Sequence, residues 1–452
     1  MKMTAKEITR ACGGRLLCGD PDTVVTSVST DSRKIDSGTL FVPIKGERTD
    51  AHTFIDATFA AGASATLTQE HDQMDDKHAW IRVQSTEQAL QQIAAVYRRK
   101  FSIPFIGITG SVGKTTTKEM VALALSAGRN VMKTEGNFNS QIGLPLTMFT
   151  LQKSHQAAVI EMGMSNFGEM SRLAQIAAPD YAVVTNIGIS HIEQLKTQQN
   201  IMNEKLHITD CFHKDSVLFL NGDDKLLSQL RNTPKWKTVW FGTQPWCDFW
   251  AENIRTAEAS TRFTLAAPEG SYEVQLPALG MHNVTNALAG LAVAKTLGVP
   301  LEKAIAKLAE YRPLAMRQQI HRVNEVTVID DSYNASPDAI RSSVDVLCGF
   351  HTGKRIAVLA DMLELGDYSQ KAHFDVGAYA ATTGIDALVT VGERAKDIVR
   401  GAQSVRPELP CFSCNDNSEA IAKLKSLLTG GDAVLVKGSR AMKTDQIVKA
   451  LL

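Results

Sequence analysis

Short, unbroken apolar runs alternate along this chain with longer segments in which apolar residues recur every three or four positions. The runs read as buried strands and the periodic segments as helices. A chain that alternates the two builds α/β layers around parallel sheets. In residues 1–84 the strand candidates are 24–25, 40–44, 65–68 and 80–83, and residues 57–63 read as a helix end closed by Gly62. Residues 85–100 put Ala89, Leu90, Ile93, Ala94 and Tyr97 on one face, which predicts a helix at a domain junction. The runs 103–108, 157–160, 181–184 and 217–220 then predict a doubly wound parallel sheet, with a helix from Thr115 that Gly128 ends. Residues 261–265 and 271–276 alternate instead, and predict antiparallel strands inserted late, before an Ala-rich helix opened by Gly280. The runs 326–329, 356–359, 388–391 and 433–436, with helices over 369–382 and 418–428, predict a second, Rossmann-like sheet. The expected fold class is α/β in three domains: 1–84 small, 85–314 central and 315–452 C-terminal.

Polar residues that follow the runs carry the candidate chemistry, because ligands of open α/β sheets bind beyond the carboxyl ends of the strands. After the run 103–108 comes Thr109-Gly110-Ser111-Val112-Gly113-Lys114-Thr115-Thr116. Strand, glycine loop and helix start together make a phosphate cradle, in which backbone N–H groups and the helix dipole face anionic oxygens. Lys114 would reach the β- and γ-phosphates of ATP, and the Thr115 or Thr116 hydroxyl would sit on Mg²⁺. The spacing is not the plain Walker pattern, since Ile108 stands where that pattern has its first glycine. Glu161 and His191 follow later strands, where a phosphate-bound Mg²⁺ would need oxygen ligands, and both are candidate metal ligands. Asn137 and Asn139 lie in a polar, glycine-rich segment too organised for a linker. In the N-terminal block, Ser29, Asp31, Ser32 and Arg33, and the turn from Lys45 to His52, would hold a nucleotide or sugar diphosphate, or else form a solvated loop. The C-terminal strand ends carry Asp330-Asp331-Ser332-Tyr333-Asn334, Asp361 and Lys437-Gly438-Ser439-Arg440, a charged edge facing the central domain. Lys437, Arg440 and a helix N-terminus after Ser439 would hold anionic groups, with Asn334 and Ser336 at a peptide unit.

Composition narrows the class. Lys+Arg and Asp+Glu both number 48, which leaves no basic footprint for nucleic acid. The N-terminus has no signal-peptide core and no apolar run approaches about 18 residues, so the expectation is a cytoplasmic protein without a membrane anchor. Seven scattered cysteines suit reduced thiols, and the lone Cys411-Phe412-Ser413-Cys414 lacks the second pair of a zinc site. No GxGxxG opens the C-terminal sheet.

The loop at 109–116, Asn137-Phe138-Asn139-Ser140-Gln141-Ile142-Gly143, Glu161-Met162-Gly163, His191 and Gly280-Met281-His282-Asn283-Val284-Thr285-Asn286 together resemble the Mur ligases. These are ATP-dependent amide-forming enzymes of peptidoglycan precursor synthesis. The block Asp330 to Pro337, with Asp31-Ser32-Arg33 and Leu40-Phe41-Val42-Pro43-Ile44-Lys45-Gly46, resembles the branch that joins D-alanyl-D-alanine to a UDP-N-acetylmuramoyl-tripeptide. The likeness runs through nearly the whole chain in order. It implies that the first domain holds the UDP end of the precursor, the second ATP and Mg²⁺, and the third the incoming dipeptide. It also implies that Asn283, Arg317, Asp331 and Tyr333 meet ATP, that Lys205 is carbamylated and joins the metal site, and that the protein is a monomer. Relatives often carry glutamate where His207 stands and glycine where Ala51 stands, two departures. The implied alternatives are another Mur-type ligase adding a single amino acid, or a folylpolyglutamate synthase-like ligase. Outside that family the residues leave a P-loop kinase or nucleotide hydrolase, or a binding protein without turnover.

Overall fold

Strands form where the apolar runs lie, and their order places the polar strand ends side by side. A computed structural model describes residues 1–46, 49–71, 77–233, 235–257, 259–350 and 353–452; Glu47 and Arg48 of the expected N-terminal turn lie outside these. The described residues form an α/β fold with three main sheets.

The central sheet has nine strands among the described residues. Phe105–Thr109 lies between Ala157–Glu161 and Tyr181–Val184, all parallel and buried throughout but for Tyr181. The registers Glu161↔Ile108 and Val184↔Thr109 bring Glu161, Gly110 and Thr185 to one sheet edge. Beyond Val217–Asn221 and Lys237–Gly242 comes Phe249–Ala257, parallel to the latter, and the sheet ends in Ser260–Ala267 and Gly270–Leu276, antiparallel as the alternation predicts. The tryptophans of this region are packing groups, with Trp240 edge-on to Trp246. The helix Lys114–Leu125 crosses Met281–Thr296 closely: a Cβ added at Gly290 would lie 3.1 Å from the Met120 carbonyl oxygen. The first of these begins at Lys114, one residue before the sequence expectation, because left-handed Gly113 (φ +85°) serves as its N-cap.

The C-terminal sheet has the order Gln319–Val323, Val326–Asp330, Ala433–Lys437, Arg355–Ala360, Ala387–Val391, Cys411–Cys414. Its first strand is antiparallel and the others parallel. Asp330 pairs with Val436, so the ends of these two strands are neighbours. Cys411 and Cys414 lie three apart on one strand and so point to opposite faces, which removes them as joint ligands. The expected helix start after Ser439 is corrected: residues Arg440–Met442 form a single 3₁₀ turn and the helix runs Asp445–Leu451, since left-handed Lys443 (φ +52°) breaks the path between them.

In the N-terminal region, Arg15–Cys18 is an antiparallel edge on a parallel sheet of Ala79–Arg82, Ala65–Thr68, Thr39–Phe41 and Ser27–Ser29. Val24–Val25 pairs apart from it, with Met3–Thr4. The helix Thr86–Arg98, capped by the Ser85 hydroxyl, bridges two regions. Thr86 Oγ1 donates to the Pro43 carbonyl at 2.5 Å, while Tyr97 donates to Leu151 and Arg98 to Ala177. Among the described residues no helix is long and apolar enough to cross a membrane.

Candidate active site

The loop 110–113 is held open from beneath. Gly110 (φ +152°) has no room for a side chain, because a Cβ would lie 1.9 Å from Thr185 Oγ1. Asn186 accepts from the Ser111 and Val112 amides at 3.0 and 2.9 Å, and Thr185 Oγ1 donates to the Val112 carbonyl at 2.6 Å. The anion-facing donors are therefore not the amides of Ser111 and Val112. Among the described residues, those of Lys114, Thr115 and Thr116 have no intramolecular acceptor, as the first turn of a helix leaves them.

Glu161 stands beside this turn, 2% exposed. Its Oε1 accepts from Thr115 Oγ1 at 3.2 Å and Asn139 Nδ2 at 2.7 Å. Its Oε2 is buried without a hydrogen-bond partner, and Lys118 Nζ is 4.0 Å away. A buried, unpartnered carboxylate oxygen beside a hydroxyl is the donor set a hard cation takes, so the residues fit Mg²⁺. Lys118 is itself buried, donating to the Thr134 carbonyl at 2.7 Å.

Two lysines share the Gly110 carbonyl: Lys114 Nζ at 2.8 Å and Lys205 Nζ at 3.1 Å. Burial lowers the pKa of both, and for Lys205 the neighbouring Lys114 charge adds to it, pushing it well below the ordinary lysine value. Glu204, whose carboxylate accepts from the Gly168 and Met170 amides, offsets this shift only in part. Of the pair, Lys205 is pushed down further; at Lys114 the Glu161 charge opposes the effect of burial.

Loop, Glu161 and C-terminal strand ends enclose one cavity of about 640 Å³. Its lining includes Lys114, Thr116, Asn137 and Asn139 of the central region, Asn283, Arg317 and Tyr333, and Asn334, Ser336 and Lys437 of the C-terminal region. The Arg317 guanidinium lies 4.1 Å over the Tyr333 ring. Asp331 accepts from Lys437 at 2.5 Å and from Ser343 at 2.6 Å, all three buried. The expectation that Lys437 holds an anion is corrected here: Asp331 already neutralises it. Arg440, expected beside it, instead faces Asp445 at 3.4 Å and is outside the cavity lining.

His191 meets the C-terminal region. It does not line the cavity, although Ser190 does, and its Nδ1 lies 2.7 Å from Glu364 Oε2. The imidazole at that distance is the leading cause that holds the Glu364 carboxyl below its ordinary value. Ser29, Asp31, Ser32, Arg33 and Lys45 are not brought to this cavity. Arg33 pairs with Asp31 at 2.8 Å, which holds the Asp31 carboxyl down to about 2, and Lys45 pairs with Glu70 at 2.8 Å and Asp50 at 3.5 Å.

The sequence marked Asn186 at a strand end and Asn286 within a motif but gave neither a role, and Lys118 was missed altogether. Asn286 Oδ1 accepts from Thr117 and packs on Gly113. Its spacing from Asn283, one helical turn, was the available signal. A lysine on the apolar face of the loop helix was the signal for Lys118.

Known proteins resemble the chain along its whole length. Family models match in three stretches: the Mur ligase family catalytic domain over residues 24–98, the Mur ligase middle domain over 108–294, and the Mur ligase glutamate ligase domain over 316–440. The UDP-N-acetylmuramoyl-tripeptide–D-alanyl-D-alanine ligase of Bacillus subtilis (strain 168) is 36% identical over 458 residues, covering 100% of this chain and 99% of that protein. A crystal structure of MurF from Acinetobacter baumannii is 31% identical with a TM-score of 0.93, covering 100% of this chain and 99% of that one. The MurF ligase of Thermotoga maritima in complex with ADP is 30% identical with a TM-score of 0.85, covering 94% and 97%.

Proposed function

The chain belongs to the Mur ligase family, and we propose that it joins D-alanyl-D-alanine to a UDP-N-acetylmuramoyl-tripeptide with the cleavage of ATP, in peptidoglycan precursor synthesis. The observation that carries this reading is likeness to ligases of that one specificity over the full chain, N-terminal region included. A single-amino-acid ligase or a folylpolyglutamate synthase-like enzyme is not favoured by it.

A carboxylate is a poor electrophile, so its oxygen first takes the γ-phosphoryl group, releasing ADP and leaving an acyl phosphate. Lys114 and the free amides of the first helical turn neutralise the charge of the phosphates during that transfer. Arg317 and Tyr333, with Asn283 and Asp331, also hold the nucleotide. The dipeptide amine then attacks the acyl carbon, and phosphate departs with one oxygen of the former carboxylate. Acyl phosphates hydrolyse in water, so enclosure between two domains protects the step.

Mg²⁺ bound here would supply Lewis-acid charge at the phosphates. Glu161, Thr115 and His191 are the residues we assign to it. Lys205 is assigned as a carbamate: only a neutral amine adds CO₂, and burial beside Lys114 favours the neutral form. Asn137 and Asn139 lie on the acceptor side, Asn334 and Ser336 on the dipeptide side. Ser29, Asp31, Ser32, Arg33 and Lys45 are assigned to the UDP end of the precursor. We read the protein as a cytoplasmic monomer of three domains, 1–84, 85–314 and 315–452.

The test is phosphate release from ATP with D-alanyl-D-alanine and each UDP-tripeptide, carrying lysine or diaminopimelate at the third position. Release that depends on both substrates, with one ¹⁸O from a labelled tripeptide carboxylate appearing in phosphate, is expected. Unlabelled phosphate would overturn the acyl-phosphate route.

A further inference from the structure

Two segments from different domains meet beside the site. One follows the strand Tyr181–Val184 and runs 191–196. The other follows Arg355–Ala360 and runs 361–368. His191 Nδ1 lies 2.7 Å from Glu364 Oε2, and Tyr368 donates its hydroxyl to the Lys196 carbonyl at 3.4 Å. Between these contacts the backbones press together, since a Cβ on Gly366 would lie 3.1 Å from Glu193 Cγ.

Three non-glycine residues at this junction adopt left-handed backbone: His191 (φ +63°), Lys196 (φ +71°) and Glu364 (φ +62°). Each such conformation costs energy and persists where the surroundings over-determine it, typically at clamps and functional sites. Here the strain falls on both members of the His–Glu pair. No hydrogen bond among the described residues engages His191 Nε2, so a carboxylate faces one ring nitrogen and the other is left available. That is the arrangement in which a carboxylate orients a histidine for a metal, fixing its ring and tautomer.

We propose that Glu364 is a positioning residue for His191, a carboxylate lent by the C-terminal domain to orient an imidazole of the central domain toward the metal–phosphate site. This rests on the assignment of His191 to that site. The cation site then reaches full affinity only while the domain that carries the dipeptide is docked, which ties metal geometry to enclosure of the acyl phosphate.

The experiment is Mn²⁺ titration by electron paramagnetic resonance, on the full chain with a non-hydrolysable ATP analogue. Glu364 is 58% exposed at its side chain, so Glu364→Gln leaves the fold intact, which a thermal melt checks. We expect Glu364→Gln to weaken Mn²⁺ roughly 10-fold or more, as loss of such carboxylates does. His191→Ala should weaken it at least as much, and the double variant no further than His191→Ala alone. Glu364→Asp should restore part of the loss. Unchanged Mn²⁺ affinity in Glu364→Gln, with a loss in His191→Ala, overturns the proposal and keeps His191 at the metal. Unchanged affinity in both removes the His191 assignment and the proposal with it.

Discussion

Lys114 and Lys205 share one acceptor in a buried site, and two ammonium groups there repel strongly. Burial first and the Lys114 charge second push Lys205 well below the ordinary lysine value, and Glu204 offsets this only in part. The direction of the shift sets a pH dependence. The folded pKa lies below the unfolded one, so between the two the unfolded chain binds the extra proton. Stability therefore rises with pH through that window, up to the unfolded lysine value of about 10.4. In CO₂-free buffer, Lys205→Met should lack that rise, as read from denaturant midpoints across alkaline pH. For catalysis, Lys205→Ala should lose activity and recover part of it with short carboxylates, which stand in for a carbamate; full activity without them would dismiss the assignment. Lys114→Ala should abolish ATP turnover, by about 10²-fold or more, with an unchanged melt. At this scale the sequence showed which lysine follows the glycine loop. It did not show Asn186 occupying two loop amides, since hydrogen bonds across 74 residues leave no local pattern.

Elements were legible where burial dictates composition. Parallel strands covered on both faces must be apolar throughout, so Phe105–Thr109, Ala157–Glu161 and Ala433–Lys437 stood out. Edge strands are only half covered, and Arg15–Cys18 and Gln319–Val323, each mixed in polarity, gave no comparable signal. The strand-end charges were visible too, but not their pairing. Lys437 ends one strand and Asp331 directly follows its neighbour, and a charge that looked ready for a ligand is already neutralised at 2.5 Å. Removing one partner of a buried pair leaves the other uncompensated. Lys437→Met should cost about 3–5 kcal/mol of C-terminal domain stability, and adding Asp331→Asn should recover much of it. Urea unfolding followed by a probe in that domain measures both. A loss below about 1 kcal/mol in the single variant would mean that water reaches and solvates Asp331.

Across the whole molecule, the order of motifs along the chain was legible because each sits at the carboxyl end of a strand, and sheet topology brings such ends together. The contact of His191 with Glu364 was not, because it depends on how one domain docks on another. The same docking decides substrate choice. One cavity joins the phosphate cradle to Asn334, Ser336 and Lys437. Since Asp331 holds Lys437, these residues offer neutral hydrogen-bonding groups rather than a free cation. Ser336 Oγ is buried there without a partner, while exposed Asn334 accepts from the Ala335 amide through Oδ1 at 2.9 Å and has no hydrogen bond from its Nδ2 among the described residues. Unpaired polar groups of this kind favour a ligand that brings its own amide, and a ligand without one leaves them unsatisfied. D-Alanyl-D-alanine has an internal amide and D-alanine has none. The dipeptide should therefore be ligated in preference by on the order of 10⁴ in kcat/KM, the discrimination a site built for hydrogen bonding supplies. Ser336→Ala should narrow that ratio by raising KM for the dipeptide while KM for ATP stays put. Competition between the two amines, read by product mass, measures the ratio directly. Equal incorporation would mean that these groups do not read the amide, and would leave the chain a Mur ligase of some other amine specificity.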